Sequence, residues 1–199
     1  YSTGSIPMGQ EMLATPLQIL AAHAALANGG RWIAPHLYLG SVGHVSIAPN
    51  VMSADLVRSE STRWVVEEAM VDVVQRGTGT KAKLSEYSLF GKTGTAQKMD
   101  PDGRYSHTRH ISSFVCGAPV KDPRVVVIVT VDEPTQGGSD YGGMVAAPAA
   151  ADIVRRARDR RRRLGRAPLP RPVRPAVIGH PSGADLAVCP VATVRPGRR

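Results

Sequence analysis

The first regular pattern in the chain opens at Thr15-Pro16-Leu17-Gln18. A threonine can cap the orphan N–H groups of a helix, proline suits its first position, and a glutamine three residues on can reach back to close a capping box. The spacing predicts a helix over 16–27 that presents Leu17, Leu20, Ala21 and Ala24 on one face. Asn28-Gly29-Gly30 should end it, because glycine accepts the left-handed conformation. Segments 32–39 and 42–47 then read as short strands, with Pro35 favouring an edge or irregular path. A second helix is predicted over 60–75, with Ser59 or Ser61 as N-cap and Val66, Met70, Val73 and Val74 as its buried stripe; Gly77 closes it.

Past the connector Gly77-Thr78-Gly79-Thr80 the pattern changes to that of strands. Segment 87–96 reads as a strand, Asp100-Pro101-Asp102-Gly103 as a turn, and 111–118 and 125–131 as two strongly apolar strands. The last of these, Val-Val-Val-Ile-Val-Thr-Val, has no polar alternation and so predicts a central strand covered on both faces. A final helix over about 145–164 has an apolar first half (Ala146, Ala149, Ala150, Ile153, Val154) that gives way to Arg160–Arg163. Two helices, three strands able to pair antiparallel and a closing helix predict an α+β fold, an antiparallel sheet packed with helices. No internal repeat interrupts this order.

Composition adds limits. With 199 residues, 42% hydrophobic and 21% charged, the chain can bury a core, which excludes a wholly disordered protein. It holds no run near the roughly 18 apolar residues of a membrane span and no basic-then-apolar leader. It begins at Tyr1 rather than at methionine, as expected of a processed product or a piece of a longer protein. The formal charge of +9 is unevenly placed: residues 155–199 hold 13 arginines against Asp159 and Asp185, a net of +11, and residues 1–154 carry −2. Only the tail is basic, which sets an expected boundary between a domain over 1–164 and a disordered Arg/Pro-rich tail over 165–199. Cys116 and Cys189 cannot by themselves make a metal site or a disulfide framework. Cys116 lies in an apolar run and reads as a buried, inert thiol.

The richest chemistry lies in Gly91-Lys92-Thr93-Gly94-Thr95-Ala96-Gln97. On a strand, the glycine of Lys-Thr-Gly lets substrate lie flat, while lysine and threonine reach into a cleft and bind an anionic group. The triplet belongs to the motifs of serine β-lactamases and penicillin-binding proteins, though three common residues recur by chance. The surrounding segments are more specific. SIPMGQEMLATPLQILAAHAALANGG, VVQRGTGTKA, LFGKTGTAQ, ISSFVCGAP, VVVIVTVDEP and YGGMVAAP follow one another between Ser5 and Leu164. In that order they resemble the transpeptidase domain of class B penicillin-binding proteins, most closely the division-specific, septal type.

The resemblance implies a serine β-lactamase-like α+β fold, here incomplete, and a peptidoglycan D,D-transpeptidase of cell-wall synthesis and cell division. It implies that Lys92 keeps a cleft serine active in proton transfer and attracts the donor peptide's terminal carboxylate. Thr93 and Thr95 would hydrogen-bond in the cleft, Thr95 to that carboxylate, and the Thr95 N–H would serve the oxyanion hole. Lys92 and Thr95 are thus the catalytic candidates, and Lys92, Thr93, Gly94, Thr95 and Gln97 the substrate-binding ones. Implied partners are peptidoglycan stem peptides, β-lactams for the full-length protein, and division and cell-wall synthesis proteins; no cofactor, metal or specific nucleic acid is implied. The implied location is the bacterial inner membrane with an extracytoplasmic domain, the anchor lying outside this chain.

Two family motifs do not occur: no serine starts a Ser-x-x-Lys or a Ser-x-Asn. The nucleophile is expected upstream, and this chain alone is expected to be inactive. The last helix and the motif strand would then miss the helical subdomain they pack on, leaving an apolar sheet face and the Leu17, Leu20 and Ala24 stripe uncovered. Cys116 also stands where the family has glycine after Ser-Phe-Val.

Other features have plainer readings. Gly77 and Gly79 lack P-loop spacing and read as a hinge. His107 and His110 lack further ligands and read as loop and strand-edge residues. Ser112 and Ser113 point to opposite faces of a strand and read as structural, Asp132-Glu133-Pro134 as a strand end, and Arg160–Arg163 as a solvated helix end. Two alternatives to the enzyme stand beside it: a non-catalytic truncated remnant, and an Arg-rich binder of anionic polymers through the tail, which the absence of tail aromatics weakens.

Overall fold

The computed structural model describes residues 3, 4, 6, 9, 12–35, 40–42, 45–47, 52–135, 138–163, 187–188 and 192–194. Helix α1 (Pro16–Ala27) has the predicted bounds and the predicted capping box: the Gln18 N–H donates to Thr15 Oγ1 at 3.3 Å and the Thr15 N–H to Gln18 Oε1 at 2.8 Å. Its buried residues are Leu20, Ala21, Ala24 and Ala25. Burial begins only at Leu20, so the first turn stands clear and Leu17, expected inside, is 47% exposed. The exit at Gly30 requires glycine: its φ is +93°, and a Cβ there would lie 1.9 Å from the Val57 carbonyl oxygen.

Short strands follow. Strand β1 (Arg31–Ile33), the hairpin of β2 (Gly40–Val42) and β3 (Val45–Ile47), and β4 (Ser53–Asp55) lie between the first two helices. Strand β4, which no alternation announces, pairs antiparallel with β1. Residues 36–39 and 43–44 of the predicted strands lie outside the described residues.

The second predicted helix runs continuously as α2 (Ser59–Trp64), a π-helical stretch (Val65–Ala69) and α3 (Met70–Gln75). Its N-cap is Arg58 rather than Ser59 or Ser61, with no side-chain cap bond. It buries Thr62, Val66, Met70 and Val74, a strict repeat of four, whereas Val73 is only half-buried. A repeat of four drifts by about 40° per step around an α-helix, and the wider π turns take up that drift.

The main sheet contains β5 (Phe90–Met99), β6 (Tyr105–Ala118) and β7 (Val125–Asp132), paired antiparallel in that order. Strand β6 starts six residues before its predicted apolar segment, because the polar run 105–110 pairs across the turn with the end of β5. Strand β7 is central, as its unbroken apolar pattern requires. Val125, Val127 and Val129 share one core with Phe114, Cys116 and the last helix, while Val126 and Ile128 share the other with Phe90, Leu20, Val66 and Met70. Within the tail, β8 (Ala187–Val188) and β9 (Ala192–Val194) pair in parallel with β7; the rest of the tail lies outside the described residues.

The chain closes with the turn α4 (Gly142–Val145) and helix α5 (Ala147–Arg163). Helix α5 buries Ala147, Ala150, Ala151 and Val154 on the sheet, and Ala149, expected inside, faces out. Its basic half is anchored where Tyr87 donates to Asp159 at 3.0 Å and the Arg158 guanidinium stacks 4.2 Å from the Tyr87 ring centre. The result is a three-layer α+β fold: α5 on one sheet face, α1 and the Val66–Met70 part of the α2–α3 helix on the other, with Val74 at the end of α3 reaching the α5-side core. The expected bare sheet face is therefore covered from within the chain, with Leu20 at 0% and Ala24 at 7% exposure. Burial pushes the Cys116 thiol up to about 12, which keeps it protonated and inert.

Candidate active site

Strand β5 carries Lys-Thr-Gly along the edge of the sheet. Side chains alternate along a strand and cross-strand partners share a face, so the register sorts the candidates. Lys92 and Gly94, opposite Val115 and Ser113, face the α1 side; Thr93, Thr95 and Gln97, opposite Phe114, Ser112 and His110, face the α4–α5 side.

On the α4–α5 side lies a pocket of about 240 Å³ lined by Thr78, Thr93, Thr95, Tyr141, Gly142, Gly143 and Met144. Thr78 enters from the connector after α3, where the Gly79 N–H donates to the Val73 carbonyl at 2.9 Å. Its hydroxyl lies 2.7 Å from that of Thr93. The opposite wall is the turn into α4, and its two glycines let it lie flat on the strands. A Cβ on Gly142 would stand 2.3 Å from the Ser113 carbonyl oxygen and 2.4 Å from that of Gly94, and one on Gly143 would stand 2.0 Å from the Thr78 carbonyl oxygen. At this approach the Gly142 N–H donates to Thr95 Oγ1 at 3.1 Å. Tyr141 and Met144 remain 68% and 52% exposed and form an apolar rim.

The structure thus brings Thr93 and Thr95 together and adds Thr78, Gly142 and Gly143, which the sequence pattern marks only as a connector and a helix start. Lys92 is on the other face, exposed, with its ammonium donating to the Thr93 carbonyl at 2.8 Å. There it adds to the effect of burial in lowering the pKa of His23, whose Nδ1 lies 2.8 Å from the Ile19 carbonyl oxygen. Gly94 leaves room for the Ser113 hydroxyl, which would be 2.5 Å from a Cβ. The Gln97 amide donates to the Ser106 carbonyl at 3.0 Å, bracing the hairpin beyond the pocket.

With no carboxylate among the lining residues, the threonine hydroxyls suit a small anionic group: one proton of the Thr78–Thr93 pair is spent in their mutual bond, which leaves the other and that of Thr95 to donate. Ser112 is buried and donates to the Asp140 carbonyl. The carboxylates of Asp132 and Glu133 lie 2.9 and 2.5 Å from Lys98 Nζ. Arg109 joins this cluster at 3.7 Å from Glu133 and 2.6 Å from Asp100, tying the ends of three strands together.

A three-layer fold with Lys-Thr-Gly on the sheet edge, above a hydroxyl-lined pocket, defines the class, and comparison fixes the family. The chain belongs to the penicillin binding protein transpeptidase domain family, whose model matches residues 1–155. It is 39% identical over 151 residues to stage V sporulation protein D of Bacillus subtilis, covering 74% of this chain and 23% of that protein. It is also 39% identical over 139 residues to the probable peptidoglycan D,D-transpeptidase PenA of Neisseria meningitidis, covering 69% and 22%. The crystal structure of penicillin binding protein 3 from Mycobacterium tuberculosis complexed with aztreonam superposes with a TM-score of 0.68 at 28% identity, over 84% of this chain and 39% of that one. The chain spans under a quarter of the length of these curated relatives.

Proposed function

We propose that this chain supplies the motif-strand half of a serine-type peptidoglycan D,D-transpeptidase site, the half that receives the terminal carboxylate of a stem peptide or of a β-lactam. The observation that carries this reading is the convergence of the Thr78, Thr93 and Thr95 hydroxyls beside the Gly142 amide in one pocket. Thr95 Oγ1 accepts from Gly142 and so keeps its own proton to donate. Lys92, on the edge strand but on the other face, supplies positive charge to the serine side of the cleft. The serine that is acylated and the Ser-x-Asn that relays protons come from a partner segment, because this sequence contains neither motif. The substrate class places the working protein at the cell envelope, among the proteins of wall synthesis and division; among the described residues no helix is long and apolar enough to cross a membrane.

The test is a chimera in which residues 1–163 replace the matching stretch of the mycobacterial penicillin binding protein 3. The chimera should be labelled covalently by fluorescent penicillin. Thr95→Val in it should lower the labelling rate by about 10- to 100-fold, the worth of a hydrogen bond to a charged group. A chimera that folds but takes no label, or a Thr95→Val form that labels as fast as its parent, would refute the reading.

A further inference from the structure

The wall that meets Thr95 is held from behind, by residues outside the pocket. Two β6 side chains on one face grip Asp140 at both ends: the buried Ser112 hydroxyl donates to its carbonyl, and His110 Nδ1 lies 2.8 Å from its carboxylate Oδ2. Nδ1 is shut off from solvent, and the contact is a close polar approach rather than a well-aligned hydrogen bond. The His110 side chain is 15% exposed, so the ring is fixed by its surroundings. Two residues past Asp140, the Gly142 N–H reaches Thr95 Oγ1, and Thr95 is the cross-strand partner of Ser112. The contacts thus form one circuit, from β6 to the turn and back to β5.

We propose that His110 and Asp140 form a latch that positions the Thr95 hydroxyl. A hydroxyl has one proton and two lone pairs. With the turn latched, one lone pair of Thr95 is occupied by Gly142 and the proton is left to point into the pocket. With the turn released, Gly142 withdraws and the hydroxyl rotates freely among water partners. The latch touches no substrate; it acts through the turn. This inference rests on the reading that the pocket receives an anionic group, but the latch itself can be measured separately.

Hydrogen exchange on the full 199-residue chain, read by mass spectrometry over 138–145, measures the latch directly. His110→Phe keeps the ring volume and removes the polar nitrogens; His110→Gln loses the ring and keeps a donor. The latch predicts that His110→Phe speeds exchange over 138–145 at least tenfold while β7 stays protected, and that His110→Gln stays within about threefold of the parent. The reverse order, protection by Phe and loss with Gln, would show that ring packing holds the turn and would overturn the proposal. Asp140→Ala, on the more exposed partner, should match His110→Phe and carries the test if that variant fails to fold. In the chimera, His110→Phe should slow penicillin labelling about tenfold through weaker initial binding, with His110→Gln recovering most of the rate. Unchanged labelling beside faster exchange would overturn the positioning role. An unlabelled parent chimera would instead refute the proposed function, leaving the exchange result to judge the latch.

Discussion

Replacing Gly142 by alanine places one methyl group where the structure has no room. Its Cβ would stand 2.3 Å from the Ser113 carbonyl oxygen and 2.4 Å from that of Gly94, against a comfortable non-bonded separation of about 3.5 Å. Both oxygens belong to backbone, and Gly94 and Ser113 are themselves cross-strand partners, so neither can yield without disturbing the β5–β6 ladder. The turn must therefore lift by about 1 Å, which breaks the 3.1 Å bond from Gly142 to Thr95. Overpacking of this kind costs about 1–3 kcal/mol of stability. Losing the hydrogen bond that orients Thr95 should slow penicillin labelling of the chimera by a further two- to tenfold, the equivalent of about 0.5–1.5 kcal/mol. The control is Gly103→Ala, at φ +80° with nothing within 4 Å of a Cβ: it meets only left-handed strain, roughly 1–2 kcal/mol. Urea unfolding and labelling, run on both variants, separate the effects, since Gly103→Ala should lose stability alone and Gly142→Ala both stability and labelling. A Gly142→Ala protein with parental midpoint and labelling rate would refute the steric argument.

Other outcomes follow from the same structure. The 199-residue chain alone should form no covalent adduct with fluorescent penicillin, because acylation needs a nucleophilic serine beside a base; a band surviving denaturing electrophoresis and mapped to a serine of this chain would contradict this. Leu20→Ala, at a fully buried position in the α1-side core, should lower the stability to urea by about 2–5 kcal/mol, and a change below about 0.5 kcal/mol would show that α1 does not cover the sheet. Burial lowers the pKa of His23 from its ordinary 6.5, so below that pH the unfolded chain binds a proton the folded chain refuses, and stability should fall as pH drops from 6.5 toward the lowered value. His23→Leu should flatten that slope in urea titrations between about pH 7 and 5; an unaltered slope would mean that His23 is not the group responsible.

Local chemistry made much of this fold legible. Thr15 through Gln18 announce α1 because capping is a matter of neighbours in sequence, and the run 125–131 announces a doubly covered strand because no polar residue interrupts it. The extension of β6 back to Tyr105 was not legible, since its pairing with β5 across the turn depends on backbone contacts rather than apolar side chains. Leu17 and Ala149 carry the right hydrophobicity at the right spacing, yet both are exposed, because where a helix overhangs its sheet is decided by tertiary placement. For the site, Lys-Thr-Gly-Thr marks the strand, but the strand's alternation divides its side chains between two faces. Thr78, Gly142 and His110 lie 15 or more residues from Thr93 in sequence, and only the folded register brings Thr78 and Gly142 to opposite walls of one pocket with His110 behind it. For Thr78 and Gly142 the signal was present as glycines in a connector and a turn, whose role depends on what they approach; His110 carried none.

Under the proposed function, the Thr93–Thr95 face of β5, and not another part of the chain, receives the ligand's carboxylate. A crystal structure of the chimera acylated by penicillin tests it most directly. A carboxylate oxygen is expected about 2.6–3.0 Å from Thr95 Oγ1, with the Gly142 amide still on that hydroxyl and Thr78 still paired with Thr93. A carboxylate bound elsewhere, with Thr95 beyond hydrogen-bonding reach of the ligand, would contradict it.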